Sequence, residues 1–323
     1  MSITVDDRFL DATASVDELA EDARRGLTAE PKWLPPRWFY DQRGSELFER
    51  ITELPEYYPT RTERQILAEH ADRIAAAAPV ETVIELGSGS SSKTHLLLDA
   101  WQRAGTLRRI VTLDVSVSAL TEAAEVLRQR YPDVELQPVR ADFTRHLGQL
   151  DRQGRSAIVF LGSTIGNLDP AQRGQFFDRA RSVLGEGDAL LLGADLVKPA
   201  EVLVPAYDDA AGVTAEFNLN VLRVLNRELG GNLPVDSFGH RAVWNAEDER
   251  IEMRLRAERA VVARFEAIDL EVRFEQGEEL LTEISSKFRR DGLAAELAGA
   301  GLELQDWWTD PRDFFGVGLS VPR

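Results

Sequence analysis

Residues 81–94 read ETVIELGSGSSSKT. The apolar run 82–86 suits a buried strand, Gly87 and Gly89 permit a sharp turn, and Lys93-Thr94 open a stretch with helical spacing. Such a loop brings backbone N–H groups and a helix N-terminus against a ligand without interference from a Cβ. Working outward, further strand-like runs lie at 110–114, 134–139, 157–162 and 189–194, with helix-like stretches at 93–103, 119–130 and 171–184 between them. Strands alternating with helices predict an α/β fold: a doubly wound, mostly parallel sheet whose ligand crevice lies beyond the carboxyl ends of its strands.

The first 80 residues do not follow that alternation. Ser15-Val16-Asp17-Glu18 has the pattern of a capping box and predicts a helix over 15–27. Pro31, Pro35, Pro36, Pro55 and Pro59 then punctuate an aromatic-rich arm with room for a short helix at 45–53. Thr60-Arg61-Thr62-Glu63 is a second capping-box pattern, opening a helix to about Ala78 with an apolar face of Ile66, Leu67, Ile74 and Ala78. After Asp195 the alternation stops again. A helix is expected at 213–229, strands at 241–244, 251–258 and 269–274, and a turn at Glu247-Asp248. A helix at 292–300 and a hairpin of strands 302–308 and 316–321, turning at Asp310-Pro311, close the chain and can return to the sheet as its antiparallel edge.

Composition narrows the classes of function. The chain has 323 residues, with 38 Lys plus Arg against 55 Asp plus Glu, a formal charge of −17. Nucleic-acid binders gain affinity by neutralising phosphates with Lys and Arg, and no basic stripe is visible here. Cysteine is absent, which excludes disulfides, thiolate metal sites and cysteine nucleophiles, and the four histidines are too dispersed for a local metal pair, so no metal is expected. The N-terminus lacks the basic and apolar regions of a secretion signal, and no run of 18 apolar residues occurs. A cytoplasmic enzyme, without nucleic-acid or membrane partners and monomeric, is the expectation.

Three ligands compete for the glycine loop. A dinucleotide fingerprint needs a third glycine where Ser92 stands, and a P-loop needs its second glycine at the same place although Gly87, Lys93 and Thr94 fit. The third candidate is S-adenosylmethionine, whose methyltransferases carry an apolar strand, an acidic residue and then G-x-G; Glu85 stands two residues before Gly87. The next strand ends at Asp114, a carboxylate able to hold a ribose diol, and the one after runs into Asp142-Phe143, where an adenine amino group and ring face can be met. Taken singly, Gly87 and Gly89 can be a plain turn, Asp114 a carboxylate at a helix start and Phe143 core. Their occurrence at successive strand ends favours the methyltransferase, with a nicotinamide dehydrogenase as the alternative of a different class.

The fourth strand runs into FLGSTIGNLDP, which puts Gly162, Gly166 and Asn167 at the same crevice; Asn167 can orient an amino or carboxylate group or merely support the turn before Pro170. Tyr40, Tyr57 and Tyr58 can be core aromatics. Glu283 and Ser285, two residues apart, share a face if extended, or belong to a solvated helix face.

Five blocks, WFYDQRGSELFERITELPEYYPTRTE, ELGSGSSSKT, FLGSTIGNL, YDDAAGVTAEFN and LTEISSKFR, together resemble the bacterial histidine Nα-methyltransferases of ergothioneine biosynthesis over nearly the whole chain. The resemblance implies a class I, Rossmann-like methyltransferase domain at 62–196 and 288–323, and a discontinuous α+β substrate-binding domain at 11–61 and 197–287. It implies that S-adenosylmethionine meets Gly87, Lys93, Asp114, Asp142 and Phe143. For the substrate, L-histidine, it implies that Tyr57, Glu283 and Ser285 address the imidazole while Asn167 and Tyr207 hold the amino-acid end. Tyr40, Phe48, Gly162 and Met253 would line the pocket, with Asn167 and Tyr40 nearest the chemistry. Trimethylation of the α-amino group would give hercynine. A methyltransferase for another amino acid such as tryptophan is the alternative within the class, and the polar Glu283 and Ser285 count against it.

Overall fold

The computed structural model describes residues 5–7, 9, 12–87, 93–150 and 153–323, the side chains of 12–15 aside. The chain divides into two compact units, one of Met1–Leu10, Pro59–Val197 and Lys287–Arg323, the other of Asp11–Tyr58 and Lys198–Ser286.

The first unit is built on a seven-stranded sheet. In spatial order its strands are Leu302–Thr309, Phe315–Pro322, Ala189–Asp195, Ser156–Phe160, Thr82–Leu86, Arg109–Asp114 and Glu135–Arg140. The last five named run parallel to one another, and Phe315–Pro322 pairs antiparallel with Ala189–Asp195, so the terminal hairpin does form the antiparallel edge. The central strands are buried along almost their whole length because both faces are covered. Val83, Ile110, Val159 and Leu191 pack into one core with Leu67, Ile74, Leu97 and Trp101, while Ile84, Val111, Ile158 and Leu190 pack into another with Phe160, Phe176 and Phe177. Strand order reverses between Thr82–Leu86 and Ser156–Phe160, the place where open α/β sheets leave a crevice at their carboxyl ends.

The second unit holds a four-stranded sheet in the order Lys32–Trp33, Glu279–Ser286, Arg250–Ala257, Phe238–Asn245, a two-stranded ribbon of Val261–Phe265 with Leu270–Phe274, and helices that include Gln42–Thr52, Ala200–Tyr207 and Val213–Leu229. The helix Val213–Leu229 matches its predicted bounds, and its entry is held by Asp209, whose carboxylate accepts from the backbone N–H of Val213 at 3.0 Å and of Thr214 at 2.7 Å. The sequence pattern missed the helix Ala200–Tyr207, the strand Val261–Phe265 and the strand Glu279–Ser286.

Both capping-box expectations are overturned. The first helix spans Ala12–Leu27, so Ser15 lies inside it. The helix expected to open at Thr60 starts at Tyr58 and runs to Ala77; Glu63 is then an interior residue with a fully buried carboxylate, committed to other partners. A Ser/Thr-x-x-Glu pattern records only spacing, and tertiary contacts decide whether the glutamate folds back on its own helix.

Candidate active site

In the first unit, four neighbouring strands end side by side, and the expected cofactor residues stand on those ends. Gly87 follows Thr82–Leu86 with φ +62°, a conformation that favours glycine, and its N–H donates to the carbonyl of Leu113 at 2.8 Å. Asp114 ends the adjacent strand, and the N–H of Ala141, next to Asp142, donates to its carbonyl at 3.0 Å. The rest of the loop, Gly89 and Ser90-Ser91-Ser92, lies outside the described residues. Its two flanks are tied together: the Thr94 hydroxyl donates to the buried Glu85 carboxylate, joining the strand's end to the helix Thr94–Arg103.

The acidic residues also have local work. Asp114 accepts from the N–H of Ser116 at 2.9 Å, while Ser116 itself caps the helix Val117–Arg130. Asp142 caps the short helix Phe143–His146, accepting from the N–H of Thr144 at 2.8 Å and its hydroxyl at 2.6 Å. Phe143 lies 4.8 Å from Phe160 and 6.0 Å from Phe176, ring centre to ring centre, with part of its surface still open. Asn167 ends a short 3-10 turn, Thr164–Asn167, and is half-buried. The cap before Pro170 belongs to Asp169, which forms a reciprocal box with Gln172, and among the described residues no hydrogen bond engages the Asn167 side chain.

Glu63 is the residue that sequence spacing misassigned. Its carboxylate accepts from the N–H of Gly162 at 2.8 and 3.0 Å and pairs with the Lys93 ammonium. It sits directly against Gly193, where a Cβ would overlap its Oε1. Four separated segments therefore converge on one buried charge pair at the strand ends. The glycine at 193, mid-strand where glycine is otherwise unfavourable, was the one available signal.

In the second unit the expected substrate residues form a continuous run. Tyr40 and Phe48 lie edge to face at 5.7 Å, Phe48 and Tyr57 at 6.3 Å, and Tyr57 and Tyr207 at 6.3 Å. The Tyr207 hydroxyl meets that of Ser285 at 2.8 Å in a buried setting. Phe217, which sequence analysis did not single out, joins the same run at 5.7 Å from Tyr40 and 6.0 Å from Phe48. Glu283 stands opposite Met253 on the neighbouring strand, and Ser285 opposite Ile251.

Glu283 and Ser285 reach this face because of a β-bulge. Leu280 and Leu281 pair with Leu255 and Arg254, but the next pair is Glu283 with Met253, leaving Thr282 as an extra residue. Strict alternation from Leu280 would put Glu283 and Ser285 on the opposite face. The inserted residue brings them to the side of Leu255, Met253 and Ile251, all buried.

Comparison with known proteins identifies the family. The sequence matches the family described as histidine-specific, SAM-dependent methyltransferases over residues 19–321. The histidine N-alpha-methyltransferase of Mycolicibacterium smegmatis is 54% identical over 313 residues, covering 97% of this chain and 98% of the relative. The protein of the same name from Mycobacterium tuberculosis is 52% identical over 303 residues, 94% of each chain. Ergothioneine biosynthesis protein 1 of Schizosaccharomyces pombe is 36% identical over 211 residues, which span 62% of this chain and 27% of that protein. A match of this extent leaves no place for the dinucleotide or P-loop alternatives: the chain belongs to the histidine-specific, S-adenosylmethionine-dependent methyltransferase family.

Proposed function

We propose that this protein transfers methyl groups from S-adenosylmethionine to the α-amino nitrogen of L-histidine, three in succession, to give hercynine as the first step of ergothioneine biosynthesis. What carries the proposal is the conjunction of near-full-length relatives named for histidine Nα-methylation with a buried acid and hydroxyl set, Glu283, Ser285 and Tyr207, on one sheet face. An imidazole has two ring nitrogens to satisfy, and an acid and a hydroxyl are chemically suited to them. An analogue without those nitrogens leaves buried polar groups unmatched.

The residues of the first unit suit the cofactor. No described atom lies within 4 Å of where a Cβ on Gly87 would stand, so the backbone there is open to a close approach. Lys93 supplies a cation for the cofactor's carboxylate, Asp114 an acceptor for the ribose diol, and Asp142 with Phe143 an acceptor and a ring for adenine. S-adenosylmethionine, when bound, supplies a methyl group already activated on a sulfonium. The chain's own contribution is therefore mainly orientation. Asn167 and Tyr207 would hold the amino-acid end, Tyr57, Glu283 and Ser285 the imidazole, with Gly162 and Met253 lining the pocket. The attacking nitrogen must be neutral, and its proton passes to solvent. The ring faces of Tyr40 and Phe48 suit an ammonium that grows to a quaternary cation.

The same proposal includes a cytoplasmic monomer with a small-molecule substrate and no nucleic-acid or membrane partner. The charge of −17 counts against a nucleic-acid partner, and no helix among the described residues is long and apolar enough to cross a membrane. Mass spectrometry of the purified protein with S-adenosylmethionine and each of the twenty amino acids tests the function. Histidine alone should gain three methyl groups. A product from another amino acid, or a histidine product that stops at one methyl group, overturns it.

A further inference from the structure

The bulge that aims Glu283 and Ser285 is held by a buried polar chain outside the expected site. Thr282, the extra residue, is 1% exposed, and its hydroxyl lies 2.7 Å from Oδ1 of Asn218 and 2.9 Å from the Met253 carbonyl. Asn218, on the helix Val213–Leu229 beside Phe217, is fully buried. Its Nδ2 lies 2.8 Å from Nδ1 of His240 and 3.3 Å from the Arg254 carbonyl, so Thr282 and Asn218 together engage the two carbonyls beside the bulge. Nε2 of His240 lies 2.8 Å from the carbonyl of Tyr207.

Hydrogen-bond polarity gives this chain one direction. A carbonyl only accepts, so Nε2 of His240 carries the proton and donates to Tyr207. Nδ1 of the neutral ring then only accepts, and must face the Asn218 NH2. That orientation turns Oδ1 of Asn218 toward the Thr282 hydroxyl, whose single proton is shared between it and the Met253 carbonyl. The direction of each bond is set by its neighbour, and a buried polar network of this kind selects a single arrangement.

We infer that Asn218, His240 and Thr282 are positioning residues for substrate recognition: one end of the chain sets the bulge that carries Glu283 and Ser285, and the other holds the backbone of Tyr207. The inference rests on the proposal that Glu283, Ser285 and Tyr207 hold histidine.

Steady-state kinetics on the full-length protein test it, with cofactor affinity measured separately by calorimetry. Thr282→Val keeps the shape and removes the hydroxyl; it should raise the KM for histidine about tenfold, leave kcat within about threefold, and leave the affinity for S-adenosylmethionine unchanged. Thr282→Ser restores the hydroxyl and should bring the KM back. Asn218→Asp, which still accepts from Thr282 but no longer donates to His240, approaches the chain from its other end and should show the same KM-selective defect, even if Thr282→Val fails to fold. The inference is overturned if Thr282→Val leaves the KM unchanged, if Thr282→Ser does not rescue it, or if cofactor affinity falls in parallel. Glu283→Ala in the same assay separates the two levels. Unchanged histidine kinetics there would overturn the proposed function of the site, whereas a defect in Glu283→Ala without one in Thr282→Val would overturn only the positioning role.

Discussion

The side-chain oxygens of Tyr207 and Ser285 lie 2.8 Å apart, joining the end of the helix Ala200–Tyr207 to the strand Glu279–Ser286 in an interior where both side chains are at most 8% exposed. A hydroxyl pair so enclosed is fixed in position and has little competing water. Tyr207→Phe keeps the ring packed against Tyr57 and deprives Ser285 of this partner. Such a loss costs about 1–3 kcal/mol. The expected result is a higher KM for histidine with cofactor affinity unchanged, read from steady-state kinetics beside calorimetric titration.

Glu283 is the one carboxylate in that set. Glu283→Ala should remove most activity on histidine while leaving S-adenosylmethionine binding intact, and Glu283→Gln should fall between the two, because an amide keeps one acceptor but not the charge. Initial rates across a histidine series, with the cofactor saturating, check both expectations.

The charge pair of Glu63 and Lys93 depends on a missing side chain. Because a Cβ at position 193 would overlap the Glu63 carboxylate, Gly193→Ala should displace it and free both Lys93 and the Gly162 N–H from their partner. Glu63→Gln keeps an acceptor for the Gly162 N–H and removes only the ion pair. Both variants should weaken cofactor binding by at least about tenfold, since the Lys93 ammonium then loses the partner that holds it in place. Calorimetry with S-adenosylmethionine measures this directly, and an undiminished affinity in Glu63→Gln would contradict it.

His240 should make folding sensitive to mildly acidic pH. Burial lowers its pKa below 6.5, outweighing the opposing effects of the bond to the Tyr207 carbonyl and of Asp208 and Asp209. Asp208 is the nearer recorded carboxylate, with an oxygen 3.9 Å from Nε2. Between the lowered pKa and 6.5 the unfolded chain binds a proton that the folded chain does not, so stability rises with pH across that window. The neutral ring's contribution is complete above pH 6.5 and is lost as pH falls toward the folded value. Denaturant titrations from pH 7.5 down to about pH 5 should show this slope, and His240→Gln should flatten it.

Asp195 and Lys287 form an ion pair at 2.9 Å with both side chains fully buried. The neighbouring backbone is tied as well, with the Phe288 N–H donating to the Asp195 carbonyl at 2.8 Å. Lys287→Met removes one partner of this buried pair, a change that costs about 3–5 kcal/mol. A lowered Tm by calorimetry is expected, and Asp195→Asn combined with Lys287→Met should recover part of it because both charges of the pair are then removed.

The first unit's sheet was legible because buried parallel strands are covered on both faces and therefore appear as mostly apolar runs, as at 82–86, 110–114 and 189–194. Glycine at a turn with positive φ and carboxylates at strand ends are local features, so Gly87, Asp114 and Asp142 stand out in the sequence alone. The second unit was harder to read. Its helix Val213–Leu229 was apparent from its period, but Glu279–Ser286 was not, because a one-residue bulge breaks the alternation by which strands are recognised.

Long-range partnership is the part that chain order does not carry. Glu63 looked like a helix cap because Thr60 precedes it by three residues, yet its partners are residues 93 and 162. Glu283 and Ser285 looked like one face of a strand or of a helix, and which side they occupy was decided by the extra residue at 282 together with Asn218, far away along the chain. Periodicity and spacing report what a residue's near neighbours permit; burial, hydrogen-bond direction and strand register depend on segments that meet only when the chain has folded.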